Sequence, residues 1–355
     1  MPKNKKEYSY AEGINSALET AMKKDKNILC YGLGVTDPKG VFGTTLNLEK
    51  KFGCKRVFDI PTSENAITGI SIGSALNGVK SVVTHQRLDF FLLAMDQLVN
   101  SAAKWYYMFG SKKSVPITIR LIVGRGWGQG PTHSQSLQSW FNHIPGIKVV
   151  MPTFAEDAKG LLLSSISDPN PVIFIEHRWL HNIKSIKNTS HRVDIGKARI
   201  CKKGKDVTIV SMSYLTLEAL NATKILLKKF KIKAEVIDLR SIKPLDWKTI
   251  FNSVEKTRRL LVLDTGFTTG SVAGEIIAKI SINKFDKLKA APERLAMPDV
   301  PEPTSFALTE NFHVTSDKII NKVLKIMKFK QIKKLRNLDK KKYHDQPGEW
   351  FKGPF

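Results

Sequence analysis

The chain has 355 residues and a formal net charge of +25, with 57 Lys or Arg against 32 Asp or Glu. Its length is enough for two domains, and a hydrophobic content of 42% predicts packed cores rather than disorder. Three widely separated cysteines offer neither a disulfide framework nor a zinc spacing. No run of about 18 apolar residues occurs, so we expect a cytoplasmic protein that does not span a membrane.

The positive charge is densest near the C-terminus. Eleven Lys or Arg and three acids lie between Lys322 and Lys352, which gives this segment a net charge of +8. No helix-turn-helix, zinc-finger or aromatic-basic signature accompanies the charge. Nucleic-acid binding is therefore an alternative that we rank below an enzymatic function, and residues 329–355 are predicted to form a basic tail.

Short β-branched runs alternate with helical patterns along the first half of the chain. The predicted strands are Ile28–Tyr31, Arg56–Ile60, Ser81–Thr84, Ile117–Ile122, Lys148–Met151 and Val172–Glu176. The predicted helices are Tyr10–Lys23, Glu64–Asn77, Phe90–Tyr107, Ser136–His143 and Ala155–Ser167. This alternation is typical of a doubly wound, mostly parallel sheet covered on both faces. The polar segment Leu180–Val193 is predicted to be a linker, which assigns residues 1–190 to the first domain.

A second α/β series follows the predicted linker. Its predicted strands are Asp206–Met212, Lys233–Leu239 and Arg259–Asp264, and its predicted helices are Leu215–Lys229, Trp247–Glu255, Gly270–Ile282 and Ser316–Lys328. We therefore predict two α/β domains, the second at residues 191–328. Beyond Tyr343 the chain is rich in Gly, Pro and aromatic residues, which predicts an end that docks on its own body or on a partner.

Three predicted strand-to-helix crossings each present a residue with useful chemistry. At the first, Pro61 ends a strand, the hydroxyl of Thr62 or Ser63 is suited to cap the next helix, and Glu64 opens that helix. Because ligands of open α/β sheets bind at the carboxyl edge, Glu64 is predicted to lie where a ligand binds.

The other two crossings carry a polar-aromatic pair and a histidine. Gln86 and Phe90 follow the third predicted strand and offer one polar and one aromatic contact to a flat ring. Four glycines at alternate positions, from Gly124 to Gly130, follow the next strand and lead to His133. Their spacing differs from that of phosphate-binding glycine loops, so the loop is predicted to position the imidazole near a ligand.

These segments occur together in an order and at spacings that resemble one family. The frame Ile-Pro-x-Ser-Glu around Glu64, the pair Gln86 and Phe90, and the segments 100–108, 131–135, 143–152, 155–160 and 234–240 look like the β subunit of the thiamine-diphosphate-dependent 2-oxo acid dehydrogenases. That subunit, of the pyruvate and branched-chain type, belongs to the wider transketolase group. The resemblance spans residues 7–328 and implies a transketolase-like pyrimidine-binding domain followed by a transketolase C-terminal-type domain.

The resemblance implies a role for each candidate residue. Glu64 would hydrogen-bond the aminopyrimidine ring of thiamine diphosphate and relay a proton through it. Phe90 would flank that ring, Gln86 would line the pocket, and His133 would lie near the substrate and the acyl-transfer channel. A structural potassium ion is implied at a site formed by Ile117, Ser165, Ile166, Asp168 and Asn170.

One family motif is absent from the sequence. Gly-Asp-Gly followed by Asn, which binds the diphosphate and Mg²⁺ in the family, does not occur. Because the cofactor needs a site for its phosphate charges and their metal, the resemblance implies an α-type partner that holds Mg²⁺ in an α2β2 heterotetramer. The implied reaction decarboxylates a pyruvate-like 2-oxo acid and transfers the acyl group to a lipoyl group of an acyltransferase, or to another acceptor.

The polar run at residues 85–87, His-Gln-Arg, replaces a largely apolar run of the family. This difference keeps open a transketolase- or synthase-type reaction in which a sugar or another oxo acid is the acceptor. A non-catalytic interaction subunit is a further alternative, and the joint presence of Glu64, Phe90 and His133 argues against it.

Overall fold

The computed structural model describes residues 7–125, 128–186, 192–332, 344–347 and 350–351. The strands in these ranges are β1 Glu7–Ser9, β2 Ile28–Gly32, β3 Val57–Asp59, β4 Lys80–His85, β5 Ile117–Val123, β6 Lys148–Val150, β7 Val172–His177, β8 Lys184–Ile186, β9 Arg199–Lys202, β10 Val207–Ser211, β11 Ala234–Asp238, β12 Ser241–Lys243, β13 Leu260–Phe267 and β14 Glu293–Met297. The α-helices are α1 Tyr10–Lys24, α2 Leu48–Phe52, α3 Glu64–Leu76, α4 Leu88–Phe91, α5 Ala103–Met108, α6 Gln138–His143, α7 Ala155–Ser167, α8 Tyr214–Phe230, α9 Trp247–Thr257, α10 Val272–Lys284 and α11 Ser316–Ile326. None of the helices in these ranges has the length and apolar character needed to cross a bilayer.

The larger sheet has seven strands in the order β12-β6-β7-β5-β4-β2-β3, and every neighbouring pair except β12 with β6 is parallel. Both faces of this sheet are covered, as β7 shows. Val172 and Phe174 belong to one apolar core, whereas Ile173 and Ile175 belong to another. Because successive strand side chains point to opposite faces, a continuous apolar run is what a parallel sheet between two helical layers requires. The predicted doubly wound sheet is confirmed.

The smaller sheet has five strands in the order β14-β13-β10-β11-β9, in which β9 is antiparallel to its neighbour and the others are parallel. It is built from the second predicted α/β series, so the fold has the two α/β units that the sequence predicts. After β11 the chain returns to the larger sheet, where β12 pairs with β6. The predicted domain limits at residues 190 and 328 stay predictions, because β12 belongs to one unit by sequence and to the other by pairing.

The helix predicted at Phe90–Tyr107 lies within a continuous helical run, but the pitch of that run changes along its length. The chain there forms α4, a 3-10 turn at Leu92–Ala94, a π-helical turn at Gln97–Ala102 and then α5. Side-chain hydrogen bonds accompany the wide turn, since the Asn100 amide donates to the Asp96 carboxylate at 2.7 Å. Apolar periodicity does not report such a change of helical pitch, because the apolar side chains still reach one core.

The predicted linker Leu180–Val193 contains a strand. Within it β8 pairs with β1 in an antiparallel, two-stranded ribbon, and residues 187–191 lie outside the described ranges. The N-terminal side of this ribbon leads directly into α1, where Ser9 and Glu12 form a capping box. This pairing could not be predicted from local sequence patterns, because the two strands are far apart in the chain.

The C-terminal tail predicted at residues 329–355 is described in part. Residues 333–343, which carry its densest run of Lys, lie outside the described ranges. Residues 344–347 and 350–351 lie against the rest of the chain, and Trp350 and Phe351 pack against an apolar core. The sequence predicted that this end docks either on the chain's own body or on a partner, and the described residues pack on the chain's own body.

Charged groups connect the two units at the start of α7. The Asp157 carboxylate accepts hydrogen bonds from Arg199 Nη1 at 2.8 Å and from Arg240 Nη1 at 2.9 Å. Asp238, the last residue of β11, is fully buried near them. Burial, and then the negative charge of Asp157, raise the pKa of Asp238 to about 7. The folded protein therefore favours a protonated Asp238 carboxyl up to about neutral pH.

We expect Asp238→Asn to reduce the loss of stability that accompanies rising pH. The pKa of an unfolded aspartate is about 3.9, so between this value and about 7 the folded state holds a proton that the unfolded state has lost. Stability from this group is fully present below about pH 4 and is lost as the pH rises through about 7, by up to about 1.4 kcal/mol per pH unit.

Urea denaturation at mildly acidic and mildly alkaline pH measures this effect. Relative to the native chain, the Asn variant should have a higher free energy of unfolding at alkaline pH than at acidic pH. Asp286→Asn, at an exposed position in the second unit, is the matched control. An identical pH response of the native and Asp238→Asn chains would contradict the expectation.

Candidate active site at the carboxyl edge of the larger sheet

Glu64 opens α3 shortly after β3 and is buried, with 5% of its surface exposed. The predicted hydroxyl cap is not formed by Ser63, which makes no side-chain hydrogen bond to the helix. Thr68 Oγ1 donates to the Glu64 backbone carbonyl, but within the described part of the chain the Glu64 carboxylate has no hydrogen-bond or ion-pair partner. Because the carboxylate has no protein partner in these ranges, this side chain is available to a ligand.

Gln86 follows β4 at the same edge of the sheet. Its Nε2 lies against Gly34, where an added Cβ would be 2.4 Å from that nitrogen and 2.8 Å from Asp37 Oδ2. Gly34 also has a φ of +74°, so both its conformation and its surroundings require glycine. The Gln86 amide is half-buried and forms no hydrogen bond to another described residue, which leaves it free to bind a ligand.

Phe90 and His133 are in contact between α4 and the loop that follows β5. Their rings are perpendicular, with centroids 5.4 Å apart. Asp89 connects the two segments, because its Oδ1 accepts from Gln135 N at 3.3 Å and from Gln135 Nε2 at 2.9 Å. His133 is exposed, and its Nδ1 lies 3.0 Å from Thr132 Oγ1. The imidazole is therefore oriented by its neighbours while its ring stays accessible.

The structure places all four predicted cofactor and substrate residues after parallel strands of one sheet edge. Glu64 follows β3, Gln86 and Phe90 follow β4, and His133 follows β5. The ring contact joins Phe90 to His133, and α3 packs against α4. Since ligands of open α/β sheets bind at this edge, the four residues define one candidate site. Their individual roles stay predictions.

A second polar cluster surrounds a cavity of about 20 Å³ between the two units. Both units line it, with residues that include Gly124, Ser134, His177, Tyr214, Glu302 and His313. This volume admits about one water molecule. The hydroxyls of Ser134 and Tyr214 are buried and have no hydrogen-bond partner among the described residues, so the cavity is suited to a small polar molecule such as water. The sequence gives one signal of this cluster, the charged run Glu176-His177-Arg178 directly after an apolar strand.

Burial sets the charge state of this cavity. The pKa of His177 lies well below its usual value, first because the ring is buried and then because of the nearby His313 and His181. Burial likewise raises the pKa of Glu302 to about 8, against the lowering effect of Arg125. Glu302 Oε1 lies 3.5 Å from His313 Nε2. At neutral pH we therefore regard this contact as one made by a neutral carboxyl rather than as an ion pair.

The residues predicted to bind potassium lie near the amino ends of β5 and β7, at the opposite edge of the sheet: Ile117, Ser165, Ile166, Asp168 and Asn170. Asp168 Oδ1 accepts from Asn170 N at 3.0 Å, and its other oxygen forms an ion pair with Lys148. Because Lys148 already balances this carboxylate, a hard cation here would rely on carbonyl oxygens. Among the described residues there is no group of three or more His, Cys, Asp or Glu side chains suited to a metal. The potassium site stays a prediction.

Two family profiles match the chain. The profile of the transketolase pyrimidine-binding domain matches residues 6–183, and that of the transketolase C-terminal domain matches residues 196–319. The chain is 41% identical over 303 residues to the pyruvate dehydrogenase E1 component subunit beta-1, mitochondrial, of Oryza sativa subsp. japonica, over 84% of this chain and 81% of that protein. It is 37% identical over 332 residues to the acetoin:2,6-dichlorophenolindophenol oxidoreductase subunit beta of Bacillus subtilis (strain 168), over 90% of this chain and 97% of that protein.

Solved structures agree on the fold. One described as a split-gene transketolase, inactive beta4 tetramer, superposes with a TM-score of 0.74 and 20% identity over 91% of this chain and 99% of that chain. A transketolase mutant from Pichia stipitis superposes with a TM-score of 0.63 and 16% identity over 92% of this chain and 46% of that chain. At these identities the likeness concerns the fold alone.

We expect Gly124→Ala to destabilise the protein more than Gly128→Ala. Both glycines have positive φ, +103° and +68°, so each substitution costs about 1–2 kcal/mol in backbone strain. At Gly124 the added Cβ would also lie 2.6 Å from His177 Cε1, whereas at Gly128 it meets no atom within 4 Å. The clash should add about 1–3 kcal/mol. Chemical denaturation of the two variants measures the difference, and equal losses would contradict the packing of Gly124 against His177.

Proposed function

Because the chain belongs to the family of pyruvate dehydrogenase E1 β subunits, within the transketolase group, we propose that it is the β subunit of a thiamine-diphosphate-dependent enzyme acting on a 2-oxo acid. Its relatives are named as β subunits of pyruvate dehydrogenase and of an acetoin oxidoreductase. The pyrimidine-binding domain is the part of the fold that gives this chain its share of the site.

The observation that carries the proposal is the state of Glu64. A carboxylate of a largely buried residue at a helix N-terminus, with no partner within the described ranges, fits a hydrogen bond to a ring nitrogen of a ligand. Gln86 and Phe90 follow β4, which lies one strand away from β3 across β2, and they supply an amide without a partner and an aromatic ring. This donor set suits a flat, polar heteroaromatic ring such as an aminopyrimidine.

Each residue then has one task in the reaction. When bound, thiamine diphosphate supplies the electron sink that decarboxylation of a 2-oxo acid requires. Glu64 would hold the aminopyrimidine by a hydrogen bond and would serve as its general acid-base group. Phe90 would supply an apolar contact to the ring, and Gln86 would supply a hydrogen bond to it. His133, oriented by Thr132, presents an accessible imidazole to the substrate and to the acyl acceptor.

The partner follows from what this chain lacks. Without the Gly-Asp-Gly motif, the cofactor's diphosphate and Mg²⁺ need a second polypeptide, so we propose an α-type subunit in an α2β2 heterotetramer. The proposed substrate is a pyruvate-like 2-oxo acid, and the proposed acceptor is a lipoyl group on an acyltransferase. A potassium ion at the amino edge and a cytoplasmic location stay proposals of the same kind.

The polar run 85–87 gives little support to a sugar acceptor. His85 is buried against Phe91, and burial lowers the pKa of His85 to about 4. Arg87 donates to Gly124 O and to Gln129 Oε1, both at 2.5 Å. Two of the three polar side chains therefore hold the fold together, and the transketolase- or synthase-type alternative loses the observation that motivated it.

We expect Glu64→Gln to abolish turnover of the assembled enzyme without affecting assembly. The amide cannot exchange a proton with the cofactor ring, and loss of a general acid-base group lowers the rate by about two to four orders of magnitude. Glu275→Gln is the control, because Glu275 is an exposed acid in the first turn of α10 and its loss removes only a helix-terminal charge. Thiamine-dependent turnover and size-exclusion chromatography report the outcome, and near-native activity of Glu64→Gln would exclude the assignment.

The isolated chain is expected to bind thiamine diphosphate with Mg²⁺ weakly. It supplies contacts to the ring but no site for the diphosphate charges. Titration calorimetry of the purified chain, with and without its co-purified α-type partner, makes the measurement. Micromolar binding and turnover by the chain alone would show that the enzyme is self-sufficient and of another kind.

A further inference from the structure

The described C-terminal residues are anchored on the body of the protein. Trp350 Nε1 donates to Glu218 Oε1 of α8 at 2.8 Å. The ring of Phe351 lies 6.3 Å, centroid to centroid, from that of Trp179, which follows β7. These contacts join the end of the chain to both units, since α8 packs on the smaller sheet and Trp179 lies in the turn that follows β7 of the larger sheet.

Arg125 is the residue at which this end meets the glycine loop. Its Nε donates to Gln129 O and its Nη2 donates to Thr304 O, both at 3.0 Å. The remaining nitrogen, Nη1, lies 3.6 Å from Asp345 Oδ2, and the two side chains are 2% and 9% exposed. One buried guanidinium thus contacts the loop, the segment after β14 and the C-terminal segment. A buried charge needs such a counter-ion, and removal of one partner leaves the other uncompensated.

The loop held by Arg125 ends at His133. The backbone carbonyl of Gln129 accepts the hydrogen bond from Arg125, and the side-chain Oε1 of Gln129 accepts one from Arg87. His133 N donates to Gly130 O at 3.2 Å, and an added Cβ at Gly130 would lie 2.1 Å from Thr304 Oγ1. The path from Asp345 to the imidazole therefore consists of short backbone and side-chain contacts.

We propose that Asp345 is a positioning residue: through its ion pair with Arg125, the C-terminal segment sets the conformation of the loop that presents His133. The C-terminal segment is thus a structural support of the active-site loop. The effect of Asp345 on the loop conformation does not depend on which reaction the enzyme catalyses. Its effect on turnover rests on the proposed function.

Hydrogen-deuterium exchange of the purified chain tests the effect on the loop. Asp345→Asn removes the negative charge and should speed exchange in residues 128–136 by about tenfold, with the strands of both sheets unchanged. Asp345→Glu restores a carboxylate and should recover most of the protection. The exposed Asp286→Asn makes the same charge change elsewhere and should leave the loop as it is. Unchanged exchange in the loop, or faster exchange throughout the sheets, would overturn the inference.

Turnover of the assembly with its α-type partner gives the second measurement. If Asp345 positions His133, Asp345→Asn should lower kcat about tenfold while the KM for thiamine diphosphate stays the same, and Asp345→Glu should rescue kcat. A native assembly without thiamine-dependent activity would refute the proposed function and leave the exchange result intact. An equal kcat for the Asn variant and the native enzyme, despite a loosened loop, would overturn the positioning role.

Discussion

A fully buried ion pair fixes the edge on which the candidate site is built. Arg120 of β5 donates to both oxygens of Glu176 on β7, at 2.6 Å and 3.0 Å, and both side chains are 0% exposed. The same guanidinium reaches Thr84 Oγ1 of β4 at 3.3 Å and Thr44 Oγ1 at 2.9 Å. Because loss of one partner from such a pair costs about 3–5 kcal/mol, the ends of β4, β5 and β7 are held together. The loops that carry site residues leave the sheet just beyond these positions.

The polar groups beyond this ion pair fall into two kinds. Arg87 and Asp89 have protein partners and connect the crossing after β4 to the loop after β5. Glu64 and Gln86 have none among the described residues, although both are at least half-buried. The fold therefore gives protein partners to the groups that shape the candidate site and leaves Glu64 and Gln86 available to a ligand.

The sequence predicted what depends on local pattern. Alternating apolar runs located both α/β units, and the strand-to-helix crossings correctly predicted that Glu64 and His133 lie at one edge, because parallel strands bring their carboxyl ends together there. Two features were not predictable because they depend on contacts between distant segments: the pairing of β8 with β1 and the return of β12 to the larger sheet. The change of pitch in the helix after Phe90 leaves no signal in the apolar periodicity. The cavity around His177 and Glu302 escaped prediction for the same reason: the two units line it together.

The proposed need for a partner has a physical counterpart on the surface. Beyond Phe90 the chain exposes large apolar side chains, with Leu93 69%, Tyr107 86% and Met108 57% exposed. Tyr107 and Met108 are consecutive, and a contiguous exposed apolar patch marks an interaction surface. A chain that covered them would gain about 25 cal/mol for each Å² of apolar surface buried. Leu93 lies one turn beyond Phe90, so a chain that covered Leu93 would also lie close to the crossing from which Phe90 projects.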